Sequence, residues 1–162
     1  MVLIIAIIVI SSLLGGGGNL LPAIMVAQDQ TELARVAAEG SNQAVQQTTL
    51  NLAETTNLSL TSSQSQWVSY LAAAGHQLSP TQLSATKNLK TDQELTAAAA
   101  DSNYDSVFVN VMQSELAGYI RDIQAAYPTV GPKGKTLLKN DFQGAKLLAQ
   151  QAAAAASALQ NG

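Results

Sequence analysis

The chain contains no cysteine and a single histidine, His76. Without cysteine, neither a disulfide framework nor a thiolate metal site can form. Aromatic residues are scarce as well, with four tyrosines and two phenylalanines beside Trp67, too few for a platform on which single-stranded bases stack. Basic residues number eight against eleven acids, for a net charge of −3. No dense basic stripe occurs, which excludes nucleic-acid binding as a function class. The most informative absence is local. Between Met1 and Gln28 there is no charged side chain, and the first charge is Asp29.

That uncharged head opens with a near-continuous Ile/Leu/Val run from Met1 to Leu14, followed by Gly15–Gly18 and then Asn19 to Ala27 with Pro22. The first run is too short for a membrane-spanning helix, which needs about 20 residues. Counted through to Ala27 the length suffices, although four glycines and a proline weaken the helix. Three readings stand side by side. A cleaved signal peptide would have its apolar core at Val2–Leu14 and a small-residue exit near Ala27, without the usual basic start. An uncleaved anchor would use the whole head. A type IV pilin-like N-terminus would share the apolar start and Pro22, with Ile5 where bacterial pilins usually carry a glutamate. All three imply export, to a periplasmic, membrane-associated or cell-surface location. The expected division is therefore an apolar segment at 1–27 and a helical bundle domain at 28–162. A domain of that length buries enough of its surface to fold without covalent staples.

From Gln28 onward the sequence reads as helices punctuated by turn signals, with no period-2 strand. Leu33, Val36, Ala37 and Ala44 mark a first apolar stripe, with Gly40 a weak point within it. Leu50, Leu58, Leu60, Trp67, Leu71 and Ala74 continue into a second helix ending at Gly75. The boundary between the two stays open, because Thr55 to Ser65 is rich in Thr, Ser and Asn. Ser79-Pro80-Thr81-Gln82 supplies a cap, a proline at the first helical position and a glutamine at the third. It predicts a short helix over Thr81–Lys90. Asp101 or Asn103 caps a helix with Tyr104, Phe108, Met112, Leu116, Ile120 and Ile123 on one face, ending near Tyr127-Pro128. The last helix, about Lys135 to Leu159, places Leu138, Phe142, Ala145, Ala149, Ala152 and Ala156 at steps of four and three, the seam of a nearly parallel helix pair. These elements predict an all-α protein, a small antiparallel bundle.

Several groups of residues, in order, carry a family resemblance. They are Asp29-Gln30-Thr31 with Ala37-Ala38-Glu39-Gly40, Leu71 to Leu78 around Gly75, Tyr104-Asp105 with Phe108-Val109 and Met112, and Asp141-Phe142 with Ala145 and Leu148. Together they resemble the exported "predicted outer-membrane protein" family over roughly residues 28–150. The resemblance implies a ferritin-like four-helix bundle of unknown function. It also implies inward-facing histidines at places corresponding to Leu60, Leu116 and Asp141, and all three are missing here.

Candidate chemistry is thin. A carboxylate-bridged di-metal centre needs two Glu-x-x-His pairs on facing helices, and none of Glu39, Glu54, Glu94 and Glu115 is followed by a histidine three positions on. His76 follows the helix-ending Gly75 and reads as a polar turn residue. Gly134-Lys135-Thr136 imitates the end of a phosphate-binding loop, but Thr129 stands where its first glycine belongs. Neither a nucleophile elbow nor a dinucleotide fingerprint occurs. The expectation is a protein without catalytic residues, cofactor, metal or small-molecule substrate.

What remains is surface. Trp67 and Tyr70, with Tyr104, Tyr119 and Tyr127, are candidate partner-binding anchors, weighed against core packing for Trp67. Lys133, Lys135 and Lys139, with Lys146 further on, crowd the start of the last helix, where the helix dipole favours anions. An acidic partner or anionic headgroups would explain them, and a solvated basic face is the plainer account. The functional expectation is an exported accessory subunit that binds and stabilises larger subunits of a membrane-bound complex, with membrane contact through residues 1–27. A concrete candidate is the small subunit of a quinohaemoprotein alcohol dehydrogenase, which suits a small helical chain. The alternative is a pilin-like filament subunit with a retained apolar N-terminal helix.

Overall fold

In a computed structural model the described residues are 19–161, and they form six α-helices with no strand among them. The helices are α1 (Leu21–Gln43), α2 (Gln47–Ala73), α3 (Pro80–Leu83), α4 (Leu89–Ala100), α5 (Tyr104–Ala126) and α6 (Pro132–Asn161). Short 3-10 turns follow α3 at Ser84–Thr86 and α5 at Tyr127–Thr129. The signal-peptide, anchor and pilin-like readings rest mainly on residues 1–18, which lie outside the described residues.

The helix ends follow local chemistry. Pro22 sits in the first turn of α1, where its missing N–H costs nothing. At the end of α2, Gly75 adopts φ 87°, a conformation that favours glycine. There its N–H donates to the Ala72 carbonyl at 3.0 Å and the His76 N–H to the Leu71 carbonyl at 2.8 Å, a Schellman closure. Ser79 forms the expected capping box: its hydroxyl accepts from the Gln82 N–H at 3.3 Å, and Gln82 Oε1 accepts from the Ser79 N–H at 2.9 Å. Yet the helix it starts lasts only four residues. Asn88 intervenes: its side chain accepts from the N–H groups of Lys90 and Thr91 and starts α4 instead.

Four long helices enclose the core. α1 packs on α2 and α5, and α6 packs on α5 and α2. Side-chain pairs fix the directions. Gln30 meets Tyr119, while Val45, just beyond α1, meets Asp105 at the start of α5. Trp67 meets Asp141, and Tyr70 lies against Gly134 at the start of α6. Each neighbouring pair is therefore antiparallel. α1 and α6 begin at one end of the bundle, here the head end, where α2 and α5 finish. The chain between α2 and α5 crosses the bundle lengthwise through α3 and α4. A charged clamp fixes this crossover to α1: Arg35 Nη2 lies 2.7 Å from both Glu32 Oε1 and Asp92 Oδ1, and Glu32 Oε1 accepts from the Asn88 N–H at 3.0 Å.

The core-facing residues of α6 are Gly134, Leu138, Asp141, Ala145, Leu148, Ala152 and Ala155, a strict alternation of steps of four and three. α1 keeps the same spacing through Ala23, Val26, Gln30, Leu33, Ala37 and Gly40. This 3.5-residue period keeps one seam facing the same neighbours along the whole helix. The seam differs from the expected one. Phe142, Ala149 and Ala156 flank it, half-buried, and Asp141 lies inside it. In α2, Thr49 and Thr56 are buried whereas Leu58 is 73% exposed. Thr55 to Ser65 is uninterrupted helix, and the α1–α2 turn falls at residues 44–46. Gly40 is a close approach, since a Cβ there would collide with the Phe108 ring.

The division expected at 27/28 falls inside α1. Ala23, Val26 and Ala27 are fully buried in the same core as Leu33 and Val36. Charge begins at Asp29, but core packing begins two turns earlier. A chain starting at Gln28 should therefore be less stable than one starting at Asn19 by about 2–4 kcal/mol, the burial of one valine and two alanines. Urea denaturation of the two truncations checks this, and equal midpoints would contradict it.

Candidate functional site

Halfway along the bundle the seam turns polar. α1 contributes Gln30, α2 contributes Ser63 and Trp67, α5 contributes Tyr119 and α6 contributes Asp141. Gln30 and Trp67 are fully buried, Tyr119 is 1% exposed and Asp141 7%. The Ser63 hydroxyl donates to Asp141 Oδ1 and the Trp67 indole N–H to Asp141 Oδ2. The Gln30 amide donates to the Tyr119 hydroxyl at 2.6 Å and to Ser63 Oγ at 3.0 Å. Gln30 Oε1 has no hydrogen-bond partner. Every long helix thus places at least one polar group in a single connected layer.

Burial is the largest influence on Asp141 and raises its carboxyl above the ordinary aspartate range, against donation from Ser63, Trp67 and Gln30. The geometry accommodates either protonation state. An indole is donor only, so Oδ2 must accept from Trp67 in both. Ser63 donates to ionised Asp141 and can accept from the neutral acid, because a hydroxyl carries two lone pairs. The Tyr119 phenol is likewise raised, chiefly by burial and then by the Asp141 charge. It is neutral at physiological pH.

A second acidic site lies on the α1–α5 face. Asp29 is partly buried, and its carboxyl is pushed up to about 7, first by burial, then by the charge of Asp122, a hydrogen bond with Asp122 and the charge of Glu115. Burial and the neighbouring carboxylates favour the protonated form of Asp29. Among the described residues no group of three or more His, Cys, Asp or Glu side chains is disposed to hold a metal ion. An open depression of about 330 Å³ lies at the end opposite the head, lined by Gln46, Asn103, Asp105, Asn110 and Gln160 among others. Its one acid, Asp105, already accepts from the Val45 and Gln46 N–H groups and so caps α2.

The residues expected to bind a partner separate. Trp67 is fully enclosed and unavailable to a partner on the folded surface, because its indole N–H is committed to Asp141. Tyr70 is half-buried, edge-on to Trp67 with ring centroids 5.4 Å apart. A Cβ at Gly134 would stand 2.8 Å from the Tyr70 hydroxyl, so glycine lets α6 start against that ring. Lys133 and Lys139 are exposed, and the Lys135 ammonium lies 5.4 Å from the centre of the Tyr127 ring. The lysines and Tyr70 share the head end. Gln30 and Ser63 are invisible to apolar periodicity, which discards polar side chains, while Tyr119 is expected only as a partner anchor and Asp141 only as a place where the resemblance implies a histidine. Counting seam steps without regard to polarity finds Gln30 and Asp141.

No family model matches the chain, and comparison with curated proteins and with solved structures finds none similar to it.

Two outcomes test the site. Asp141→Ala strands the buried Trp67 N–H and Ser63 hydroxyl and should cost about 2–4 kcal/mol. Asp141→Asn keeps an acceptor for Trp67 and should cost well under half of that; if the two variants unfold at the same urea concentration, the carboxylate is not what holds the layer. Asp29 gives a pH signature. Its folded pKa lies above the ordinary aspartate value, so its stabilising effect is complete below about pH 4 and lost as pH rises towards 7. The melting temperature of Asp29→Asn should therefore gain on the wild type between pH 4 and 8. A difference between the two that stays flat over this range contradicts a raised Asp29 carboxyl.

Proposed function

We propose that this chain is a non-catalytic helical accessory subunit, exported and membrane-proximal, which binds and stabilises a larger membrane-associated complex through its outer surface. The observation that carries this reading is the polar layer. Its buried polar groups are bonded chiefly to one another, as expected of side chains that hold four helices in register rather than meet a substrate. The bundle is read as ferritin-like, as the family resemblance implies, and the lengthwise crossover between α2 and α5 supports this over an up-down-up-down arrangement. A membrane-bound quinohaemoprotein dehydrogenase is one candidate for the larger partner.

A second reading, the pilin-like filament subunit, draws support from α1. Its first turn begins at Leu21 and is already buried by Ala23, so residues 21–28 of the uncharged head belong to a bundle helix. One experiment separates the two. Purified from its own cells in gentle detergent, the accessory subunit should bring a larger chain with it in fixed stoichiometry. The filament subunit should instead sediment as a homopolymer with its apolar head intact by mass. A monomer with neither companion would sink both readings.

A further inference from the structure

The exposed charges of the bundle are sorted along its axis. At the head end stand Lys133 and Lys139, both exposed, Lys135 beside Tyr127, and exposed Arg121 near the end of α5. The acids of that half are muted: Asp29 is partly buried beside Asp122, which raises its carboxyl, and Asp141 is buried. In the opposite half stand exposed Glu54, Glu94 and Asp101, placed there by α4 and the start of α2, with Glu39 and Asp105 half-buried, Glu39 beside Arg35 and Asp105 accepting from the Val45 and Gln46 N–H groups. α6 shows the sorting most sharply. It carries four lysines and one acid, Asp141, which points inward. Lys133 and Lys135 also sit at the positive end of their own helix, which disfavours them unless a negative surface faces them.

Apolar groups mark the same end. Leu21 is 58% exposed, Met25, one turn on, 46%, and Tyr127 37%. The sequence leading into α1 there is the uncharged run.

We propose that the head end of the bundle seats on an anionic bilayer surface. Lys133, Lys135 and Lys139 face the phosphate headgroups, Leu21, Met25 and Tyr127 lie at the headgroup–acyl boundary, and the acidic end is directed away. Tyrosine favours that boundary because its ring is apolar and its hydroxyl wet. The acidic end is repelled by the same surface, so the charge sorting orients the bundle as well as attracting it. This deepens the membrane-proximal part of the proposed function, with no dependence on a protein partner.

The test uses the full chain floated with vesicles of phosphatidylcholine, with and without phosphatidylglycerol, at low and high salt. Two matched variants carry equal charge loss: Lys133→Gln/Lys139→Gln at the head end, and Lys90→Gln/Lys146→Gln elsewhere. All four lysines are exposed, and unchanged melting temperatures show that each variant folds. The wild type should prefer phosphatidylglycerol vesicles, and the head-end variant should bind them about tenfold more weakly. The matched variant should stay within about twofold of the wild type, and high salt should remove the difference. Equal loss in both variants would reduce the effect to net charge and overturn the proposal. Binding indifferent to phosphatidylglycerol would overturn it too. So would a head-end variant that binds vesicles normally but loses an acidic protein companion, which would assign the lysines to that protein. Vesicle binding as expected, with no larger chain accompanying the protein from its own cells, would count against the accessory-subunit reading alone.

Discussion

The carboxylate of Asp141, held by the Ser63 hydroxyl and the Trp67 indole N–H, is the contact on which the bundle depends. The remaining seam of α6 is Leu138, Ala145, Leu148, Ala152 and Ala155 with Gly134 at its start. Small apolar side chains at steps of three and four pack nearly as well if the helix slides by one heptad, so they do not fix where α6 stops against α2. Asp141 does. Displaced by a heptad it would lose both donors and remain a buried polar group without partners, at a cost of several kcal/mol. Gln30 does the same for α1, because its amide reaches Tyr119 on α5 and Ser63 on α2. Register is thus set by hydrogen bonds, and cohesion by the alanine and leucine layers on either side.

This division of labour explains which parts of the fold were legible in the sequence. Helix ends written in short-range chemistry were readable. Gly75 closes α2, Ser79 and Gln82 make a capping box, and Tyr127-Pro128 marks the end of α5. The period of α6 was readable too, but its phase was misjudged. A search for apolar residues passes over Asp141 and takes Phe142, one position on, as its substitute. The same preference hid Gln30 and turned the Thr- and Ser-rich middle of α2 into a doubtful boundary, when Thr56 and Ser63 are seam positions. Leu58 drew attention to the wrong face for the complementary reason. The candidate site was illegible because each of its members is an ordinary residue in its own helix. Only packing four helices together makes them one layer.

The buried core begins ahead of the onset of charge for a related reason. The onset of charge at Asp29 looks like the edge of a folded region, since surfaces carry charge. It marks instead the stretch of α1 whose charges meet α5 and the crossover, with Asp29 beside Asp122 and Arg35 bridging Glu32 and Asp92. The two turns before it need no charge. They are buried through Ala23, Val26 and Ala27, and their outward positions carry Leu21 and Met25.

Those outward positions connect the interior to the surface. The one acid of α6 is spent on register, so the solvent face of that helix retains only lysines. Two of these lie in the first turn, where the helix dipole opposes them and an isolated bundle gains nothing by having them. Moving Asp141 one position along the helix would relieve that imbalance at the cost of the polar layer. The packing requirement and the cationic face are therefore two consequences of a single choice. The helix that most needs a register mark is also the one left with an uncompensated positive surface, beside the exposed Leu21 and Met25. Core and surface are not independent in this protein, because the residue that fixes how the helices fit also determines what charge α6 presents outside.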